Sequence, residues 1–401
     1  NLFTHPMDKI TKQMILLTIN EMELDDLVSW IQSDAISIEE MTNSGLERNK
    51  LNAIQEALDD SPPLNGEDNE DTSTAIYRAI ENEEFRIEEI NNLYNQGSIT
   101  KEGLAENTSM TAEEIEILDM WPGKGDSIDP DPDSLPPLLN NRTDIFFFGV
   151  PGSGKSCVLS SLMFYMDEIG LIADNTHNLI GTQYRNQLKD DYSKRVLPDG
   201  TAYNAIHYMP FDLRNQSNKA QKHPLNFVDM SGELFRDVYE KGIDSIHPKV
   251  VEYLKHKNRK IIFLIIDYDV HLRPELEVGP SQSSMLSAGL QMLDDFGTLK
   301  KVDAINVLVT KSDLFPEGCN KEEFAADFMD SKYKNFVENL KDKMSEYDGK
   351  NSFEATIYPF SIGKVKFKGL LVQQDLSSAE NITNALQQDT FVGKSKRGLF
   401  N

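Results

Sequence analysis

Cysteine and long apolar runs are scarce in this 401-residue chain, and their scarcity excludes two classes of protein. The two cysteines, Cys157 and Cys319, cannot form a disulfide framework. No stretch reaches the roughly 18 apolar residues that a membrane span needs, and residues 261–266 are instead typical of a buried strand in length and β-branched content. No charged and then apolar signal peptide opens the chain. We therefore expect a soluble, cytoplasmic protein.

Basic residues are also scarce, and their scarcity is uneven. Lysine and arginine number 40 against 66 aspartates and glutamates, which gives a net charge of −26. Residues 1–140 hold 31 of the acidic and 8 of the basic side chains. A field this negative repels phosphate backbones and anionic lipid, so we expect no nucleic-acid binding by this part. Two interpretations stay open: a surface for a basic protein partner, or a solvated surface that only confers solubility.

Helical periodicity dominates the first 121 residues. Apolar residues at helical spacing predict one helical hairpin unit over residues 1–60 and a second over residues 74–121. A polar stretch without periodicity, residues 61–73, reads as a linker between them.

The two helical units resemble each other in sequence. Ala35–Met41 aligns with Ser98–Leu104, which indicates a weak internal duplication. A Ser or Thr just ahead of Glu, as at Thr111, is typical of a helix N-cap. Tandem helical units often serve as adaptors, and a purely structural helical cap is the alternative.

The pattern changes after a proline- and aspartate-rich linker at residues 122–140. Apolar runs rich in β-branched and aromatic residues then alternate with longer helical patterns over residues 141–370, and residues 371–401 are expected to form a C-terminal helix and tail. This alternation predicts an α/β fold, with a mostly parallel sheet flanked by helices. The predicted strands are Asp144–Gly149, Ala205–Leu213, Leu225–Asp229, Lys260–Asp267, Ala304–Thr310 and Ala355–Ser361.

A phosphate-binding loop follows the first predicted strand and precedes a helical stretch, Cys157–Met166. Its glycines allow successive backbone N–H groups to turn toward phosphate oxygens, and the helix N-terminus adds its dipole. Lys155 would reach the β and γ oxygens, and Ser156 can bind Mg²⁺. The predicted phosphate-loop residues are Gly149, Gly152, Ser153, Gly154, Lys155, Ser156 and Cys157.

Two further motifs indicate which nucleotide binds. The strand that ends at Asp229 continues into Asp-x-x-Gly, where Asp229 would hold Mg²⁺ through water and the Gly232 N–H would sense the γ-phosphate. A later strand ends in Thr-Lys-x-Asp, the residues Thr310, Lys311 and Asp313. A carboxylate accepts two parallel hydrogen bonds from the guanine N1–H and amine, which adenine cannot supply. The sequence therefore favours GTP and GDP over ATP.

Residues 142–370 resemble the translation-factor class of P-loop GTPases, which includes the Ras-like proteins. The resemblance rests on residues 149–156, 229–232 and 310–313, in that order along the chain. It implies an antiparallel pair formed by the second and third predicted strands, and Mg²⁺ as cofactor. It also implies that Ser361 and Ile362 fill the base-capping motif, and that Thr201, with Thr182 as runner-up, closes on the metal.

The resemblance assigns roles to several of these residues. The implied metal set is Ser156, Thr201 and Asp229, and the implied catalytic set is Lys155, Thr201, Gly232 and Glu233. The fused helical part, a long first switch region and the pair Gly232 and Glu233 also look like the large bacterial GTPases of the double-GTPase type.

Three departures limit what the resemblance implies. Glu233 stands where many small GTPases have a water-orienting Gln, so slow hydrolysis is expected unless a protein partner, an activator or nucleotide-dependent oligomerisation raises it. Thr310 replaces the commoner Asn, which would weaken the tie to the phosphate loop. The long spacing from Ser156 to Asp229 indicates an insertion in the first switch region.

Two other functions stay open from the sequence. A nucleotide-dependent scaffold that binds GTP without turnover is compatible with Glu233. A P-loop ATPase is disfavoured, because no second acidic residue directly follows Asp229 and Asp313 would have no role. Arg185 and Arg195 are candidates for an arginine acting in cis, although a structural role is favoured. The histidines lack the spacing of a zinc site.

Overall fold

The computed structural model describes residues 72–274, 279–347, 349 and 352–392, together with the isolated positions 27, 41 and 50. The chain divides into two units, Asn1–Asp71 and Thr72–Asn401. The predicted hairpin unit at residues 1–60 and the first copy of the duplication fall almost wholly outside the described residues. The helices and strands of the described residues 72–392 all belong to the second unit.

A seven-stranded sheet forms the centre of this unit, with the strand order β2-β3-β4-β1-β5-β6-β7. β3 is antiparallel to both of its neighbours, and the other pairs are parallel. This confirms the α/β fold with a mostly parallel sheet and the antiparallel pairing of the second and third predicted strands. The strands are β1 (Thr143–Gly149), β2 (Ile172–Asp174), β3 (Ile206–Arg214), β4 (Lys222–Met230), β5 (Arg259–Asp267), β6 (Val302–Thr310) and β7 (Glu354–Phe360).

Helices cover both faces of the sheet. The central strands β1 and β5 are buried along nearly their whole length, as expected for strands of continuous apolar sequence. One core therefore lies on each face of the sheet. The flanking helices are α5 (Lys155–Glu168), α6 (Leu179–Ser193), α7 (Glu233–Lys241), α8 (Pro248–Lys255), α9 (Asp269–Leu272), α10 (Gln282–Asp295), α11 (Lys321–Lys332), α12 (Lys334–Glu346) and α13 (Ser377–Gln387). None of the helices within the described ranges is long and apolar enough to cross a membrane.

Four short helices precede the sheet and pack on a separate hairpin of strands. They are α1 (Thr72–Glu81), α2 (Ile87–Asn95), α3 (Lys101–Asn107) and α4 (Ala112–Asp119), and the hairpin consists of β8 (Gly363–Lys366) and β9 (Leu370–Gln374). Thr100 caps α3 and Thr111 caps α4, the latter through a reciprocal capping box with Glu114. The helices and the hairpin share one apolar core. We call α1–α4 the helical module.

The segment between the helical module and β1 lies along the sheet domain and is mostly extended, with one short 3₁₀ turn at Pro132–Ser134. Leu135 and Leu138 are buried in the core of the sheet domain. Lys124 forms ion pairs with Glu88 (3.1 Å) and Asp199 (2.8 Å). We call residues 124–138 the connecting segment.

Candidate functional site

Five parallel strands end at the same edge of the sheet, and the predicted motifs follow four of them. The phosphate loop follows β1, the Asp-x-x-Gly motif begins within β4, the Thr-Lys-x-Asp motif begins at the end of β6, and Ser361 follows β7. Ligands of open α/β sheets bind in the crevice at this edge. The topology therefore brings the sequence-predicted site residues together.

The phosphate loop has the backbone that its glycines allow. Gly152 and Gly154 adopt φ angles of +77° and +85°, which L side chains rarely adopt. A Cβ on Gly149 would lie 2.5 Å from Ser153 Oγ and 3.0 Å from Ile265 Cβ. The Ser153 hydroxyl is buried without a hydrogen-bond partner among the described residues. A buried polar group without a partner, just before the N-terminus of α5, is what an anion would satisfy.

Lys155, Thr201 and Asp229 form one hydrogen-bonded cluster. Lys155 Nζ donates to Thr201 Oγ1 at 3.0 Å and lies 3.1 Å from Asp229 Oδ1. Thr201 Oγ1 donates to Asp229 Oδ2 at 2.8 Å. All three side chains are at least partly buried, and Asp229 is fully so. Thr201, the residue proposed to close on the metal, therefore contacts both Lys155 of the phosphate loop and Asp229 of β4.

The oxygen donors at this point fit a divalent cation. Ser156, Thr201 and Asp229 offer two hydroxyls and a carboxylate, the hard ligands that Mg²⁺ prefers. Asp229 Oδ1 accepts no well-directed hydrogen bond within the described residues, although the Lys155 ammonium lies nearby. Among those residues no group of three or more His, Cys, Asp or Glu side chains could hold a metal ion.

The Asp-x-x-Gly turn lies directly against the phosphate loop. A Cβ on Gly232 would come within 2.8 Å of Pro151 N and 2.9 Å of its Cα, so only glycine allows this approach. Glu233 begins α7, and its carboxylate accepts a hydrogen bond from the Ser231 hydroxyl at 2.5 Å. Glu233 therefore folds back on its own turn and acts as an acceptor there.

Thr310 ties the end of β6 to the phosphate loop. Its hydroxyl lies 2.8 Å from the Ser153 carbonyl oxygen and 2.9 Å from that of Ile266, and its single proton serves both acceptors. Because Thr310 replaces the commoner Asn, a weaker tie to the phosphate loop was expected. The threonine hydroxyl nevertheless makes this connection.

The other base-motif residues connect to β7. Asp313 is exposed, and its Oδ1 accepts a hydrogen bond from Ser361 Oγ at 2.8 Å. Ser361 Oγ also accepts from the Gly363 N–H at 3.1 Å. Ile362 is half-buried, and its carbonyl accepts from Tyr192. The predicted guanine-binding carboxylate therefore touches the predicted base-capping residue.

Two carboxylates that sequence reasoning missed hold Lys311. Its ammonium donates to Asp267 at 2.8 Å and to Asp269 at 3.3 Å. Burial raises the pKa of Asp267, and this outweighs the opposing effect of the Lys311 charge. The signal was a carboxylate at the end of the strand predicted as Lys260–Asp267.

A second missed feature lies in the insertion between the phosphate loop and β4. The insertion forms β2, α6 and the loop to β3, which accounts for the long spacing from Ser156 to Asp229. Tyr184 on α6 donates from its phenol to Asp229 Oδ2 at 3.1 Å. Its ring stacks on His207, with centroids 3.6 Å apart and an interplanar angle of 11°. No motif in the sequence marks this tyrosine.

The remaining candidates have structural partners. Arg185 is buried on α6 and pairs with Asp174 of β2. Arg195 Nη1 donates to the Val372 carbonyl at 3.0 Å. Thr182, the runner-up for the metal-closing residue, bonds the carbonyls of Asn175 and Asn178 instead. Cys157 is half-buried beside the loop.

Comparison with known proteins adds neighbours of low similarity. No family model and no curated protein matches this chain. Among solved structures, it is similar to the signal recognition particle receptor SRb of an SRb-GTP/SRX complex from Chaetomium thermophilum, at 12% identity and a TM-score of 0.37, over 62% of this chain and 99% of that one. It is also similar to a dimerization-deficient mutant of Toc33 from Arabidopsis thaliana (14% identity, TM-score 0.33, 64% and 87%). A putative nucleolar GTP-binding protein 1 from Plasmodium falciparum matches at 12% identity and a TM-score of 0.28, over 63% and 90%.

Proposed function

We propose that this protein binds GTP and GDP with Mg²⁺ at the edge of the sheet and hydrolyses GTP slowly. The observation that carries the proposal is the Asp313–Ser361 contact, at 2.8 Å, on the same edge as the phosphate loop. Asp313 is exposed and offers a carboxylate to a planar base, while Ser361 holds it in position. The assignment to the translation-factor class, and to the double-GTPase type within it, belongs to this proposal.

The roles of the remaining residues follow from their contacts. The Lys155 ammonium contacts Thr201 and Asp229 in this structure. When a nucleotide binds, the ammonium would contact the β- and γ-phosphates in their place. The orphaned Ser153 hydroxyl and the loop N–H groups would bind phosphate oxygens. Bound Mg²⁺, held by Ser156 and Thr201 and through water by Asp229, would supply charge neutralisation at the phosphates.

Base selectivity is the first test of the proposal. Asp313→Asn replaces two acceptors with one donor and one acceptor, so GTP affinity should fall about tenfold to a hundredfold and xanthosine nucleotides should gain affinity. Titration calorimetry with GTP, GDP, ATP and xanthosine triphosphate measures this. Asp327→Asn, on the exposed surface of α11, is the matched control. An unchanged preference for GTP in the Asp313 variant would reject the base assignment.

A non-hydrolysing scaffold is the second candidate, and the geometry of Glu233 supports it. Its carboxylate accepts from Ser231 and has no amide with which to orient a water. Single-turnover hydrolysis separates the two functions. Conversion of bound GTP to GDP over hours supports the enzyme, and bound GTP that stays intact supports the scaffold.

We also propose that the helical module regulates the nucleotide site, alone or with a protein partner. Its support is a short series of contacts. Ile87 N–H donates to the Phe367 carbonyl in the β8–β9 hairpin, and the hairpin pairs with residues 195–197 through Leu197 N–H to the Gly369 carbonyl, at 3.0 Å. Thr201 follows four residues later. A movement of the helical module would therefore reach the loop that carries Thr201.

A further inference from the structure

Tyr184 touches the carboxylate that is proposed to hold the metal. Its phenol donates to Asp229 Oδ2 at 3.1 Å.

The ring of Tyr184 has a defined position. One face stacks on His207, which is 1% exposed on β3. The helix that carries it is fixed at a second point, where Gln187 Nε2 donates to the Asp126 carbonyl of the connecting segment at 3.0 Å. The phenol is therefore directed at Asp229 by the stacking of its ring on His207, while a hydrogen bond from the same helix anchors α6 to the connecting segment.

We propose that Tyr184 is a gating residue, which competes with the divalent cation and its bound water for Asp229. This inference rests on the proposed function. The competition arises because Asp229 Oδ2 already accepts from both Tyr184 and Thr201. To free Asp229 Oδ2 for a water molecule on the cation, the phenol must withdraw, and α6 must then adjust against the connecting segment. The insertion in the first switch region thus carries a residue that senses whether the metal is bound.

Removal of the phenol hydroxyl tests the gate in the full-length protein. Release of a fluorescent GDP analogue is followed by stopped flow over a range of Mg²⁺ concentrations, for wild type and Tyr184→Phe. The Mg²⁺ concentration that half-maximally slows release should fall about threefold to tenfold in the variant, since a hydrogen bond to a charged group is removed from the competing state. An equal or higher midpoint overturns the gate.

A matched control comes from another buried tyrosine. Tyr208 on β3 has a buried hydroxyl that bonds Asn226 at 3.0 Å and the Leu139 N–H at 3.2 Å, away from the ligand set. Tyr208→Phe should lose stability but keep the wild-type Mg²⁺ midpoint. A shift in Tyr208→Phe equal to that in Tyr184→Phe would also overturn the gate.

A measurement on the wild type keeps the proposal testable if Tyr184→Phe does not fold. Hydrogen exchange in the presence of GDP should show changed protection across residues 179–193 when Mg²⁺ is added, and unchanged protection there overturns the gate. A wild type that binds no GDP defeats the proposed function itself. If GDP release from the wild type depends on Mg²⁺ and Tyr184→Phe has the same Mg²⁺ midpoint, only the gate is overturned.

Discussion

The hydroxyl of Thr310, at the end of β6, hydrogen-bonds to the loop after β1 and to the end of β5. It lies within 2.9 Å of two buried carbonyls, one in the phosphate loop and one at the end of β5. Thr310→Val keeps the shape and removes the hydroxyl, so a buried carbonyl loses its donor at a cost of about 1–3 kcal/mol. We expect lower stability in urea and weaker GDP binding in calorimetry, with the preference for guanine retained.

Thr383 on α13 provides the comparison for that substitution. Its hydroxyl is buried and has no hydrogen-bond partner within the described part of the chain. Thr383→Val should therefore be neutral or stabilising. Equal losses of stability in the two variants would show that the Thr310 contacts contribute nothing specific.

Lys155 lies beside a buried carboxylate at the candidate site. Its ammonium lies 3.1 Å from Asp229, which is fully buried. Lys155→Ala should therefore abolish measurable GTP binding and also destabilise the protein, by about 3–5 kcal/mol, because an uncompensated charge is left behind. The sequence alone suggests that this charge serves only the phosphates, and the ion pair adds the second effect.

The double variant Lys155→Ala, Asp229→Asn separates the two effects of Lys155. Neutralising Asp229 should recover much of the stability in urea denaturation and none of the GTP binding in calorimetry. Additive losses of stability in the double variant would contradict the pairing.

At the scale of elements, the contact between the helical module and the hairpin depends on a glycine. A Cβ on Gly369 would clash with Cγ2 of Ile87, the first residue of α2. Gly369→Ala should displace α2 at a cost of about 1–3 kcal/mol. If the helical module controls the loop at Thr201, GDP release measured by fluorescence should change severalfold in the variant.

A second-site change supplies the control for Gly369→Ala. Ile87→Ala removes the methyl group that clashes, so the double variant should return toward the wild-type release rate. Release that is unaffected by Gly369→Ala, in a variant of lowered stability, would count against regulation through the hairpin.

The elements differ in how far the sequence determines them. The six predicted strands are confirmed as β1 and β3–β7 within a few residues, since each is a run of apolar, β-rich sequence long enough to be recognised. β2, β8 and β9 were missed because strands of three to five residues contain too little periodicity. The burial of Leu135 and Leu138 was also missed, because prolines and aspartates around them are typical of a solvated linker.

The residues of the candidate site also differ in how far the sequence identifies them. Residues within contiguous motifs, such as Lys155 and Asp313, could be named from the sequence because the spacing itself carries the chemistry. Tyr184 and Asp269 could not, since only tertiary packing brings them to the motifs.

For the whole molecule, three partly or fully buried histidines set a dependence of stability on pH. Burial lowers the pKa values of His207, His223 and His256 below the ordinary 6.5. The unfolded chain therefore binds more protons than the folded one below pH 6.5, and stability falls as the pH falls through that value. Burial raises the pKa of Asp191 to about 6, which acts in the opposite direction below that pH.

Urea denaturation between pH 7.5 and 6.0 measures this dependence. The midpoint should decrease with decreasing pH, and His223→Gln should make the decrease shallower because one titrating group is removed. A midpoint that rises toward pH 6.0 would mean that these histidines are protonated in the folded protein.

The join between the β8–β9 hairpin and residues 195–197 is made of main-chain atoms. Leu197 N–H donates to the Gly369 carbonyl, and Leu371 N–H donates to the Arg195 carbonyl, each at 3.0 Å. Main-chain hydrogen bonds do not depend on which side chains the residues carry. The side chains at this join can therefore diverge among homologues while the join itself persists. Proline is the substitution it cannot accept at position 197 or 371, because proline has no N–H to donate.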